Sequence, residues 1–176
     1  MSYHFRKKKE RIIKYMSRRP DYVIENADIR FKNFQERVNT HSKFDRDRGD
    51  GKSVNGGSFC IFLPQDIAEE LESRGVRVDE FVDKRKEDAE PQPMLRVIVQ
   101  FDPLNDWKNP TIWQITGDTH VKLDEETMAG LDYVDIVHAD VKLNFGKNPG
   151  THGFKTYLNT AYIEIPNDNL ASKYGY

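Results

Sequence analysis

The chain has 176 residues, 37% of them hydrophobic and 32% charged. That length suits one ordinary domain with a real core plus short extensions, and leaves two full domains cramped. The longest apolar run is the five residues Phe59–Leu63, far short of the roughly 20 that a membrane-spanning helix requires, so no membrane role is expected.

The net charge of −2, from 27 Lys and Arg against 29 Asp and Glu, argues at first against an electrostatic partner such as nucleic acid. The charge is unevenly spread. Residues 1–20 hold eight cations (Arg6, Lys7, Lys8, Lys9, Arg11, Lys14, Arg18 and Arg19) against the single acid Glu10, a net of +7 that leaves −9 on the other 156 residues. Ile12-Ile13 followed by Lys14 is no signal-peptide core, and a lone Cys60 forms no internal disulfide, so a cytosol-like, reducing compartment is expected.

In chain order, residues 1–21 read as a basic arm, either a helix over Phe5–Ser17 ended by Pro20 or a disordered segment. Residues 22–166 form the body and 167–176 a short tail. Alternation begins at Tyr22 and predicts a half-exposed strand, with Ile29, Phe31 and Asn33 on one side and Arg30, Lys32 and Phe34 on the other. Lys43–Gly57, with four glycines and many charges, is a loop. Phe59–Leu63 is an apolar strand stopped by Pro64. Gln65–Arg74 is a short helix with Ile67, Ala68 and Leu71 buried and Gly75 as its stop. Val76–Val82 reads as a strand and Asp83–Pro93 as a charged loop.

Met94–Phe101 is the clearest strand, its Leu95, Val97, Val99 and Phe101 alternating with Arg96, Ile98 and Gln100. A turn at Pro103–Pro110 leads to a strand at Thr111–Thr116. After Val121–Leu123 a helix is expected to Tyr133, capped by Asp124, with Met128, Leu131 and Val134 buried. Ile136–Phe145 and Phe154–Ile165 are two long strands joined by a Gly-, Lys- and Asn-rich loop. Five to seven strands with two short helices predict a mainly β chain, and an OB-fold-like, five-stranded, partly open barrel with extended loops fits that count.

No catalytic signature stands out. There is no G-x-S-x-G, Walker loop or H-E-x-x-H, and Lys52-Ser53 after Gly51 opens no helix, so the glycines at 49, 51, 56 and 57 read as a flexible loop. His120 with Asp118 or Asp124 reads as an exposed turn and Cys60 as a small core residue, so neither an enzyme, a metal nor a cofactor is expected. There remain aromatic residues on strands interleaved with cations. Charges that follow phosphates beside rings that stack on unpaired bases suit single-stranded nucleic acid. The candidate DNA-binding residues are Arg30, Lys32 and Phe34 on the first strand, Lys52 in the early loop, Arg96, Trp107 in a Pro-bounded turn, Lys147, and Lys155 with Tyr157 on the last strand. Phe154, Leu158 and Tyr162 form the opposite, core face of that strand.

A set of short motifs adds to this. They are Ile29-Arg30-Phe31-Lys32-Asn33-Phe34, Asn55 with a glycine pair before Phe59-Cys60-Ile61-Phe62-Leu63, Ile67-Ala68-Glu69-Glu70-Leu71, and Pro91-Gln92-Pro93-Met94-Leu95-Arg96-Val97. Further along stand Leu123-Asp124-Glu125-Glu126-Thr127, Leu131-Asp132-Tyr133 and Gly153-Phe154-Lys155-Thr156-Tyr157-Leu158. In order and spacing the chain resembles, over roughly residues 28–166, a family of small single-stranded DNA-binding proteins of tailed bacteriophages built on an OB-fold. The resemblance implies a non-catalytic protein that coats single strands during phage replication or recombination with little sequence preference, in the cytoplasm of the host bacterium. Single-stranded DNA, replication or recombination proteins and a second copy of the chain are its expected partners. The alternative is a phage structural or protein-interaction module whose acidic body docks on a protein.

Overall fold

The computed structural model describes residues 21–35, 55–102, 107, 109–146 and 151–167. The basic arm, most of the early loop with Lys52, the late loop with Lys147, and the tail from residue 168 lie outside the described residues.

The described chain is mainly β. Nine strands form one mixed sheet: β1 Asp21–Ile24, β2 Asp28–Asn33, β3 Asn55–Phe62, β4 Asp79–Phe81, β5 Gln92–Phe101, β6 Thr111–Thr116, β7 Thr119–Leu123, β8 His138–Phe145 and β9 Thr156–Glu164. Helix α1 spans Gln65–Ser73 and a 3-10 helix spans Thr127–Tyr133. The hydrogen-bonded path runs β1-β8-β9-β5-β3-β2. Its two ends are consecutive in the chain, parted only by Glu25–Ala27, so the sheet curls round on itself as a partly open barrel. Asn26, at φ +50°, turns the corner with its N–H on Asp140 Oδ1 at 2.8 Å, and the Ala27 N–H reaches the Ala139 carbonyl at 2.7 Å. β9 lies at a fork: β8 runs along one edge antiparallel, while the other edge takes β5 in parallel at Thr156–Tyr157 and then β6 in parallel at Thr160–Glu164.

Alternation explains the core. Leu95, Val97, Val99 and Phe101 of β5 point inward with Phe59 and Ile61 of β3, Val141 and Leu143 of β8, and Leu158, Ala161 and Ile163 of β9. Ala68 and Leu71 of α1 and Met128 and Leu131 of the 3-10 helix complete it. Helix α1 starts after Pro64 and stops at Gly75, where φ is +80°. The Gly75 N–H bonds the Glu72 carbonyl at 2.9 Å and the Val76 N–H bonds Leu71 at 3.1 Å, the two-bond stop that glycine at this position favours. Asp124 caps the next segment, accepting the N–H groups of Glu126 and Thr127 at 2.9 and 2.8 Å, and these bonds hold its carboxyl below the usual range. The helix expected there is 3-10 rather than α.

Two strands depart from simple alternation. Arg30 pairs with Cys60 and Asn33 with Ser58, so three β2 steps face two on β3 and one residue is extra. The bulge falls at Phe31, whose φ is +51°. It reverses the phase of the strand from that point on: Phe31 is 55% exposed and Phe34 is 1% exposed. An aromatic residue in left-handed backbone costs about 1–2 kcal/mol, which the pairing on either side must offset. On β9, Lys142 pairs with Thr160 but Leu143 pairs with Leu158, so Asn159 is extra and Tyr162, expected in the core, faces outward at 49% exposed.

Tyr22 fastens β1 to α1. Its hydroxyl donates to Glu70 Oε2 at 3.2 Å, and Arg74, paired with Glu70 at 2.8 Å, lies 5.6 Å from the ring centre. Burial, then the Glu70 charge, push the Tyr22 hydroxyl up to about 12. Because the folded state holds this proton more tightly than an ordinary tyrosine with a value near 10, the bond's contribution is whole below pH 10 and is lost as pH rises through about 12. Alkaline unfolding tracked by circular dichroism should therefore show a stability step between pH 10 and about 12 that Tyr22→Phe removes; identical curves for the two proteins would contradict it.

Candidate nucleic-acid interface

With Gly57, Phe59 and Ile61 of β3 turned inward, Ser58, Cys60 and Phe62 face out. Cys60 is flanked by Arg30 of β2 and by Arg96 of β5, so two arginines and a thiol form one row across three adjacent strands. Neighbouring strands lie about 4.8 Å apart, which puts the two arginine positions about 10 Å apart across the strands. In the next row Ser58 is succeeded by Ile98 of β5 and Tyr157 of β9. Lys155, exposed, precedes Tyr157 by two positions. Arg30, Arg96 and Tyr157 are thus brought to one outer face of the barrel with Lys155 at its border.

The cations differ in their engagements. Arg30 Nε bonds Asp28 Oδ1 at 2.8 Å, and its guanidinium lies 5.3 Å from the Phe62 ring centre. Among the described residues Arg96 has no ion-pair partner. Lys32 is drawn off the face: its ammonium donates to the Leu131 carbonyl at 2.8 Å and to that of Val134, binding the end of the 3-10 helix. Asp132 completes this tie by accepting the N–H groups of Phe34 and Gln35 at 2.8 and 3.1 Å.

The aromatic candidates also divide. Phe34 stacks on Phe59 inside the core at 5.5 Å, so it offers no platform to a base; the bulge at Phe31 is the reason. Trp107 is 72% exposed in the connection between β5 and β6, and Tyr157 is half-buried on the sheet. Sequence reasoning missed three rings beside Arg30. Phe31 lies 5.2 Å from Phe81 and 6.0 Å from Phe62, and Phe62 stacks on Phe81 at 5.6 Å. Phe31 belonged by strict alternation to the inner side, and only the extra residue turns it out.

The Cys60 thiol is pushed up by burial, with Arg96 pulling the other way, so it stays protonated at neutral pH and is a poor nucleophile. It is buried as expected, but on the outer face beneath its neighbours rather than in the core. Among the described residues no group of three or more His, Cys, Asp or Glu is placed to hold a metal ion, and no helix is long and apolar enough to cross a membrane.

An outer sheet face carrying guanidinium charge beside flat rings can hold an extended polyanion and stack its exposed bases. No curated protein matches the chain. A family model described as "Putative phage ssDNA-binding domain" matches residues 13–176, nearly the whole sequence, and the chain belongs to that phage single-stranded DNA-binding family.

Proposed function

We propose that the protein is a non-catalytic single-stranded DNA-binding protein that coats exposed strands during phage replication or recombination, in the cytoplasm of the host bacterium, with little sequence preference. The observation that carries this reading is the row Arg30–Cys60–Arg96 with Tyr157 on the same face. Phosphates bind along the arginines, crossing the strands, while Tyr157 and Trp107 stack on bases. Neither contact reads a base edge, which accounts for low specificity. Lys52, Lys147 and Lys155 extend the charge from the loops and the strand start. In this reading residues 22–166 are the binding body, the basic arm of residues 1–21 adds phosphate contacts to an otherwise acidic protein, and 167–176 is a tail open to replication or recombination proteins or a second copy.

A titration of tryptophan fluorescence with oligo-dT, against duplex DNA and at rising salt, tests the proposal. Tight binding to oligo-dT is expected, with log affinity falling against log salt by about 0.7 per neutralised phosphate. Deleting residues 1–20 should weaken binding and lower that slope while the body still folds. No binding at low salt, or binding indifferent to salt, would overturn the reading and favour the protein-docking module; unchanged affinity and slope without the arm would assign the arm to a protein partner.

A further inference from the structure

We propose that the cleft walled by Phe31, Phe62 and Phe81 is a pocket for one unpaired nucleobase of the bound strand, at the β2 side of the interface. The inference rests on the DNA-binding reading above and deepens it. The rings form a continuous apolar wall, with centre-to-centre distances of 5.2 to 6.0 Å. Across the cleft stands the segment after β4, which contributes Arg85 and Lys86, and the open cleft has a volume of about 480 Å³. Pockets of about 300–1,000 Å³ are the usual size for small-molecule sites, and one base with its sugar fits within that.

The chemistry of the lining selects the occupant. A phosphate alone needs no ring wall, and an aliphatic side chain from a protein needs no cationic rim. A nucleotide uses both, the base against the rings and the adjoining phosphate against the cations. Asp83, which also lines the cleft, pairs with Arg85 at 3.1 Å so that the two charges offset each other; this leaves Lys86 and the Asp28-paired Arg30 as the cations facing a phosphate, with Glu90 exposed at the rim. Continuity places the cleft on the strand's path: Arg30 belongs both to the arginine row and to the cleft lining, and Phe62 is two residues from Cys60 on the outward side of β3. The bulge supports the same function. It holds Phe31 at φ +51° and 55% exposed where a regular strand would have buried it, and local strain of this kind is typical of binding sites.

The test separates bases from phosphates by comparing oligo-dT with an abasic oligonucleotide of equal length. Wild type should prefer the strand with bases, and Phe31→Leu should shrink that preference about tenfold while leaving the salt slope unchanged. Phe31→Gly, which suits the left-handed backbone, should lose the same preference without a drop in Tm, and Phe31→Trp should keep it. An undiminished preference in both Phe31→Leu and Phe31→Gly would overturn the pocket while the DNA-binding reading stands. Absence of any binding by wild type would instead sink the reading itself.

Discussion

Gly57→Ala is expected to lower Tm by about 10 °C or prevent folding. A Cβ at Gly57 would sit 2.5 Å from the Asn33 carbonyl oxygen and 2.7 Å from Phe34 Cα. Both neighbours are backbone, so no side chain can swing aside. The relief available is to part β2 from β3 just beyond the bulge, which would also withdraw Phe34 from its stack on Phe59. Overpacking of this kind costs about 3 kcal/mol or more when backbone must move. Gly130→Ala is the matched control, because a Cβ there meets nothing within 4 Å. Thermal melts of the two variants check the claim; equal Tm values would refute it.

The second large effect falls on binding. Arg96→Glu should reduce affinity for oligo-dT about 10- to 100-fold at low salt and lower the salt slope by about 0.7 or more, with Tm unchanged because the side chain is exposed. Arg96 stands at the middle of the outer face with no carboxylate paired to it among the described residues, so its charge is wholly available to a phosphate. Lys32 provides the contrast. Its ammonium already serves two carbonyl groups of the 3-10 helix, so Lys32→Met should cost stability and leave the salt slope as it was. Wild-type affinity in Arg96→Glu would remove the arginine row from the interface.

Local pattern made much of the fold legible. β5 and β6 were readable from alternation and turn residues, and α1 from its buried stripe between Pro64 and Gly75. β1 was not separable from β2 by pattern, because the break at Glu25–Ala27 is set by a left-handed Asn26 held by Asp140, a contact 114 residues away. The candidate face was legible where its strand kept phase. Arg96 and Tyr157 face outward as alternation requires, whereas Phe34 and Tyr162 lie beyond a bulge and take the side opposite to that expected. A single extra residue leaves no mark in composition or periodicity over so short a strand. It is fixed by the surface the partner strand presents, here the glycine pair of β3 against the end of β2. The ties of Lys32 were illegible for a related reason: its partners are main-chain carbonyls about 100 residues away, which carry no side-chain signal.

The position of β9 bears on how the protein is made. Without Thr156–Glu164, the described strand ladders fall into three sets that do not pair with one another: the β2-β3-β5-β4 sheet, the β6–β7 hairpin and the β1–β8 pair. β9 is the seam that pairs with all three, and it is the last of the described strands to be translated. Folding to completion therefore waits for β9, proceeds through distant pairings and is correspondingly slow. A product terminated before residue 156 has the arginine row but not the strand that holds Tyr157 beside it, so prematurely ended translation yields open sheet edges prone to aggregate rather than a weaker version of the protein.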